Sequence, residues 1–175
     1  LNMKSPLLPI SLICLFLFTN TTLSAQVLIN EFSAANYDQF TDNFGEYEDW
    51  IELYNAGNSS VNIGGYFLSD RPDNLVKFQI PAGVSIAAGD HLRVWASGND
   101  SYTGGVIHTN FKITQTRDAE AIIFSDNSAN ILDSQAIDVP NKKNHSWART
   151  PDGSTTWGID TSPTPNNTNT SVDQA

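Results

Sequence analysis

From Gln26 onward the chain is cut into short runs of aliphatic, aromatic and β-branched residues, each ended by Gly, Pro, Asn or Asp, and no window carries a helical stripe. Runs of this kind, recurring every eight to twelve residues or so, are strands that have to bury one face by pairing and stacking, which restricts the chain to a sandwich or a barrel. The clearest case is Asp49-Trp50-Ile51-Glu52-Leu53-Tyr54, where Ile51 and Leu53 share one face and Trp50, Glu52 and Tyr54 the other. His91 to Ala96 alternates the same way, with Leu92, Val94 and Ala96 expected inward and His91, Arg93 and Trp95 outward. Further strands are expected at Val27–Phe32, Val61–Ile63, Tyr66–Ser69, Val76–Ile80, Val106–Ile113, Glu120–Phe124, Ile131–Val139 and Ser146–Arg149. Gly64-Gly65 reads as a turn or bulge, and the polar, aromatic segment from Ala34 to Glu48 as a structured loop.

The first 25 or so residues read differently. Met3-Lys4, an apolar run from Leu7 to Phe18 and a small residue at Ala25 have the layout of a secretory signal peptide. The run falls short of the roughly 20 residues of a membrane span, so an exported domain with no membrane insertion after cleavage is expected, in the periplasm, at the cell surface or secreted. Cleavage removes Cys14, the single cysteine, leaving no disulfide to staple the domain. The domain is expected over 26–160. The polar stretch 161–175, with Pro163-Thr164-Pro165-Asn166-Asn167, reads as a disordered tail or linker.

With nine Lys and Arg against 19 Asp and Glu, the chain has a net charge of −10. Such a surface repels phosphate backbones and anionic membranes, so nucleic acid is not an expected partner.

The phrases fall in a recognisable order. Ile29-Asn30-Glu31-Phe32 opens the domain, and Asp49 to Asn55 follows an acidic loop. Next come Ile63-Gly64-Gly65-Tyr66-Phe67-Leu68-Ser69-Asp70, Phe78-Gln79-Ile80-Pro81 and Ala88-Gly89-Asp90 before Val94-Trp95-Ala96-Ser97-Gly98. His108-Thr109-Asn110-Phe111-Lys112, Asp118-Ala119-Glu120, Arg149-Thr150-Pro151-Asp152-Gly153, Trp157 and Pro163 to Asn167 complete it. This series resembles bacterial lamin-tail domains, relatives of the immunoglobulin-like domain at the end of nuclear lamins, over roughly Val27 to Asn167. The resemblance implies an immunoglobulin-like β-sandwich, and the pattern of runs and turns an all-β fold of about eight to nine short strands. It also implies a non-catalytic module, and it supplies no ligand and no catalytic residues.

Chemistry-bearing patterns are sparse. Asp38, Asp42, Glu46, Glu48 and Asp49 crowd one loop, and a carboxylate-rich loop can offer a hard cation the six to eight oxygens it needs. Calcium is therefore the one cofactor candidate, although the spacing is not that of an EF-hand. His91, His108 and His145 are widely separated, and no Gly-x-Ser-x-Gly elbow or phosphate-binding glycine loop is present. Trp95, Trp50 and Tyr54 are the expected partner contacts, since flat aromatic faces suit sugars and protein interfaces alike. The expected function is a non-catalytic binding or assembly module for an envelope or extracellular protein or glycan. A calcium-stabilised structural domain is the alternative, and an enzyme with an unfamiliar site is third.

Overall fold

The computed structural model describes residues 26–137, 142–170 and Val172; the expected leader, the last residues of the expected Ile131–Val139 strand and the end of the tail lie outside them. Among the described residues there is no helix. There are thirteen strands: β1 (Val27–Ser33), β2 (Trp50–Asn55), β3 (Val61–Asn62), β4 (Phe67–Ser69), β5 (Phe78–Gln79), β6 (Ser85–Ile86), β7 (His91–Trp95), β8 (Ser101–Thr103), β9 (Val106–His108), β10 (Ala121–Ser125), β11 (Ile131–Ala136), β12 (Ser146–Arg149) and β13 (Trp157–Asp160). The excess over eight or nine comes mainly from β6, β8 and β13. The first two are only two or three residues long, too short to show a period.

Seven strands form a long sheet in the order β13-β12-β1-β2-β7-β9-β8, and four form a second sheet, β11-β10-β4-β5. β3 and β6 pair as a separate two-stranded ribbon. All pairings are antiparallel except β7 with β9. The two sheets enclose one core, to which the long sheet gives Ile29, Phe32, Ile51, Leu53 and Val94, and the shorter sheet Leu68, Phe78, Ile122 and Phe124. The expected all-β sandwich is the architecture found.

One local feature sets the faces of the long sheet. The β1–β2 register shifts between Ile29 and Glu31, so β1 carries a bulge at Asn30. A strict period of two would send Ile29 and Phe32 to opposite faces. The extra residue restores both to the core and turns the side chains of Asn30 and Glu31 to the outer face. The Gly64-Gly65 turn is likewise dictated by space: Gly65 has φ +90°, and a Cβ on Gly64 would stand 2.7 Å from the Gly83 nitrogen.

The outer face of the long sheet is covered. Ser33, Trp50 and Trp95 lie side by side across β1, β2 and β7. Alternation places Trp95 outward, as expected, yet it is only 2% exposed, and Trp50 is fully buried. The segment between β1 and β2 folds back over them. The Phe40 ring meets Trp50 edge-on at 6.2 Å, and Arg93 lies between the Phe40 and Trp95 rings. Truncating a buried ring of this size leaves a cavity, so Trp95→Ala is expected to cost about 3–5 kcal/mol of folding stability, measured by urea unfolding. A loss under about 1 kcal/mol would mean that the loop does not cover this face in solution.

Candidate functional site

The expected contacts are not a platform. Trp50 and Trp95 are buried as described, and Tyr54 is half-buried with its ring 4.7 Å from that of His91. The backbone of Gly153 closes over Tyr54, where a Cβ would come within 3.2 Å of the ring. The correction has one cause. Period two separates the two faces of a strand but does not say which face the rest of the chain will cover.

Nor do the five acidic residues share a point in space. Asp38 is exposed and bonds Lys143 and Asn144 at 2.5 Å each. Asp42 is buried, and its Oδ1 accepts the Phe44 and Glu46 N–H groups at 2.8 and 2.9 Å. Glu46 is exposed, Glu48 pairs with Lys112 at 2.7 Å, and Asp49 Oδ1 accepts the Asn36 N–H at 3.0 Å. Among the described residues no three His, Cys, Asp or Glu side chains converge as ion ligands. In place of a shared ligand set, four of the five carboxylates are tied to local partners that hold the 34–49 loop.

Asn36 is the centre of that scaffold. Its amide donates to the carbonyls of Phe40 and Glu48 at 2.7 Å each, while its Oδ1 accepts the Phe40 N–H at 3.0 Å. Asn144 clips the loop from outside, its Oδ1 accepting the N–H groups of Tyr37 and Asp38. The loop is thereby a wall that holds three aromatic residues partly in water: Tyr37 is 63% exposed, Phe44 55% and Tyr47 49%.

Those two tyrosines line a cleft of about 340 Å³ between this loop and the 112–116 segment. Asn36, Glu48, Asp49, Lys112 and Gln115 supply its polar lining. The Glu48–Lys112 pair neutralises itself at the rim, where Lys112 is largely exposed. Asp49 is pushed up to about 6, chiefly by burial and then by the neighbouring Glu48 charge, against the opposing pull of the Asn36 N–H and Lys112. Gln115 Oε1 is buried without a hydrogen-bond partner among the described residues. The sequence offered one signal here: four aromatic residues, Tyr37, Phe40, Phe44 and Tyr47, inside a segment otherwise rich in Asp, Asn and Glu. It offered none for Lys112 and Gln115, which arrive from a remote part of the chain.

A second constellation lies deeper. Ser97 Oγ is 2.9 Å from His108 Nδ1, and His108 Nε2 is 2.7 Å from Asn43 Oδ1. Ser97 and His108 are 2% and 1% exposed, so this chain of hydrogen bonds has no opening to a substrate and serves to fasten the loop to β9.

A family model described as Lamin Tail Domain matches residues 20–139. No curated protein matches the chain.

Removing the Asn36 side chain strands two carbonyls and one N–H beneath the loop. Each buried orphan costs about 1–3 kcal/mol, so Asn36→Ala is expected to loosen the loop before the sandwich. Limited proteolysis checks this: cleavage should appear within 37–48 while the rest of the domain stays intact. Wild-type resistance of the loop would show that Asn36 is dispensable.

Proposed function

The chain belongs to the lamin tail domain family, whose members are immunoglobulin-like structural and binding domains, and from that premise we propose that it is an exported, non-catalytic module that binds a neutral glycan in the cleft between the 34–49 loop and the 112–116 segment. The observation that carries this reading is the pairing of Tyr37 and Tyr47, both exposed, on the walls of one polar cleft.

The chemistry fits a polyol. A sugar ring presents a C–H face that stacks on an aromatic ring and a rim of hydroxyls that both donate and accept. The cleft offers two rings for the first. For the second it offers carboxylates, an ammonium and an amide at Glu48, Asp49, Lys112 and Gln115. With Glu48 and Lys112 compensating one another, the lining has no strong excess of either sign with which to select a charged ligand. The leader-like N-terminus supports an exported setting, where glycans are abundant and the lack of disulfides is met by the single large core.

Binding of the full chain to a panel of immobilised neutral and acidic oligosaccharides tests the reading. A neutral glycan should be retained. Tyr37→Ala and Tyr47→Ala should each weaken it about tenfold, the equivalent of 1.4 kcal/mol, with little change in unfolding temperature. Retention of no sugar, or tyrosine variants that bind like wild type, would overturn the assignment.

A further inference from the structure

The segment after β13 is not loose. Residues 161–170, expected as part of a disordered tail, lie on the outer face of the long sheet, and Pro163, Pro165 and Asn169 are buried there. The expectation failed because the segment contains no large apolar residue, and composition registers only hydrophobic reasons for order. Its attachment is polar. The Thr164 N–H donates to Glu31 at 3.2 Å, the Asn166 N–H to Glu52 at 2.5 Å and the Asn169 N–H to Asp152 at 3.1 Å. In return Asn166 Oδ1 accepts the Arg93 N–H at 2.9 Å, and the Asn169 amide donates to the Arg149 carbonyl at 2.9 Å.

We propose that residues 163–169 are a pH-responsive strap, closed over Glu31 and Glu52 when those carboxyls hold protons and released as they ionise. The geometry carries this. Three backbone N–H groups of one short segment meet three different acidic side chains, and Glu31 and Glu52 are fully buried beneath it. The strap itself has no ionisable side chain from Thr161 to Thr170, so every titrating group belongs to the floor.

The floor is acidic on all sides. Glu31 on β1 has Asp160 of β13 nearby and accepts the Ser146 hydroxyl of β12. Glu52 on β2 feels Glu31 and Asp152 and, from β7, the charge of Arg93. Asp152, in the turn between β12 and β13, takes the Asn30 amide at 3.0 Å and His91 Nε2 at 3.2 Å. Arg149 on β12 contributes its carbonyl here, but its guanidinium is turned to Asp133 and to the Trp157 ring. Two basic side chains, Arg93 and His91, therefore face four carboxyls.

Burial raises Glu31 to about 7 and Glu52 to about 8, and the repulsion between neighbouring carboxyls adds to it. The N–H donors pull the other way but are outweighed. Opening the strap lets water in and returns both groups toward their ordinary 4.5. The closed state thus binds protons that the open state has lost. Its advantage is full below about 4.5, falls as pH rises and is spent above about 8.

Amide hydrogen exchange of the full chain, followed by NMR at Thr164, Asn166 and Asn169, tests the strap. After correction for base catalysis, protection at these amides should fall at least about tenfold between pH 6 and 9, while Ile51 and Val94 in the sheet stay protected. Glu52→Gln, which mimics the protonated side chain, should flatten that fall. If Glu52→Gln does not fold, Glu31→Gln serves in its place, and the wild-type profile stands alone as a test. Protection that is flat with pH, that falls in step with Ile51 and Val94, or that falls as steeply in the glutamine variant would overturn the proposal.

Discussion

The bulge at Asn30 is the constraint from which the rest of the structure follows. By inserting one residue into β1 it keeps Ile29 and Phe32 in the core and delivers Asn30 and Glu31 together to the opposite face. Glu31 then stands beside Glu52 across the β1–β2 pair, two buried carboxyls in register that a sheet would tolerate poorly if both were charged. The surroundings answer with donors: Ser146 for Glu31, Asn30 for Glu52, and a run of backbone N–H groups from beyond β13 for both. Thus an irregularity in the first strand bears on where residues 163–169 lie.

The same logic governs the other half of that face. Trp50 and Trp95 cannot be left in water at the centre of the sheet, and the 34–49 loop is the segment available to cover them. A polar loop can serve as a lid only if its own backbone groups are satisfied, since each buried orphan costs as much as a good contact gains. Asn36 and Asp42 meet that demand from within, and Asn144 from the neighbouring turn before β12. Holding the lid rigid is also what presents Tyr37 and Tyr47. Cover for the sheet and the walls of the cleft are therefore one structure.

What the sequence disclosed follows from which of these forces leave a periodic trace. Period-two runs gave β2 and β7 and the inward set Ile51, Leu53, Leu92, Val94 and Ala96, of which all but Leu92 are buried and Leu92 packs partly buried against the same core. Asn55, the last residue of β2, fixes the turn that follows: it is buried, donates to the Ser59, Ile86 and Ala87 carbonyls and accepts the Gly57 N–H. Three things left no trace. The bulge is invisible because Ile29-Asn30-Glu31-Phe32 looks like any short strand. The covered outer face is invisible because alternation does not distinguish water from a polar lid. The strap is invisible because Pro, Thr and Asn are the composition of a linker, and only the carboxylates far upstream give them a place to bind. The candidate cleft was legible in part, as an aromatic loop, but not in the segment that faces it.

The buried Ser97–His108–Asn43 series shows why geometry without access is not chemistry. Its distances resemble those of a nucleophile, a base and an orienting amide. Yet burial lowers the pKa of His108, outweighing the pull of the nearby Asp42 and Glu48 charges. A neutral ring with Nδ1 accepting from Ser97 and Nε2 donating to Asn43 satisfies both of its side-chain hydrogen bonds. The Asn99 N–H also donates to Ser97 Oγ, so the hydroxyl is engaged on both sides. Phe44 packs on the imidazole from the loop at 5.1 Å and Trp95 stacks on it from the sheet at 6.5 Å, and Ser97 beside it is buried. A residue set that joins loop, β7 and β9 so completely is a fastening, and it accounts for the buried histidine without recourse to catalysis.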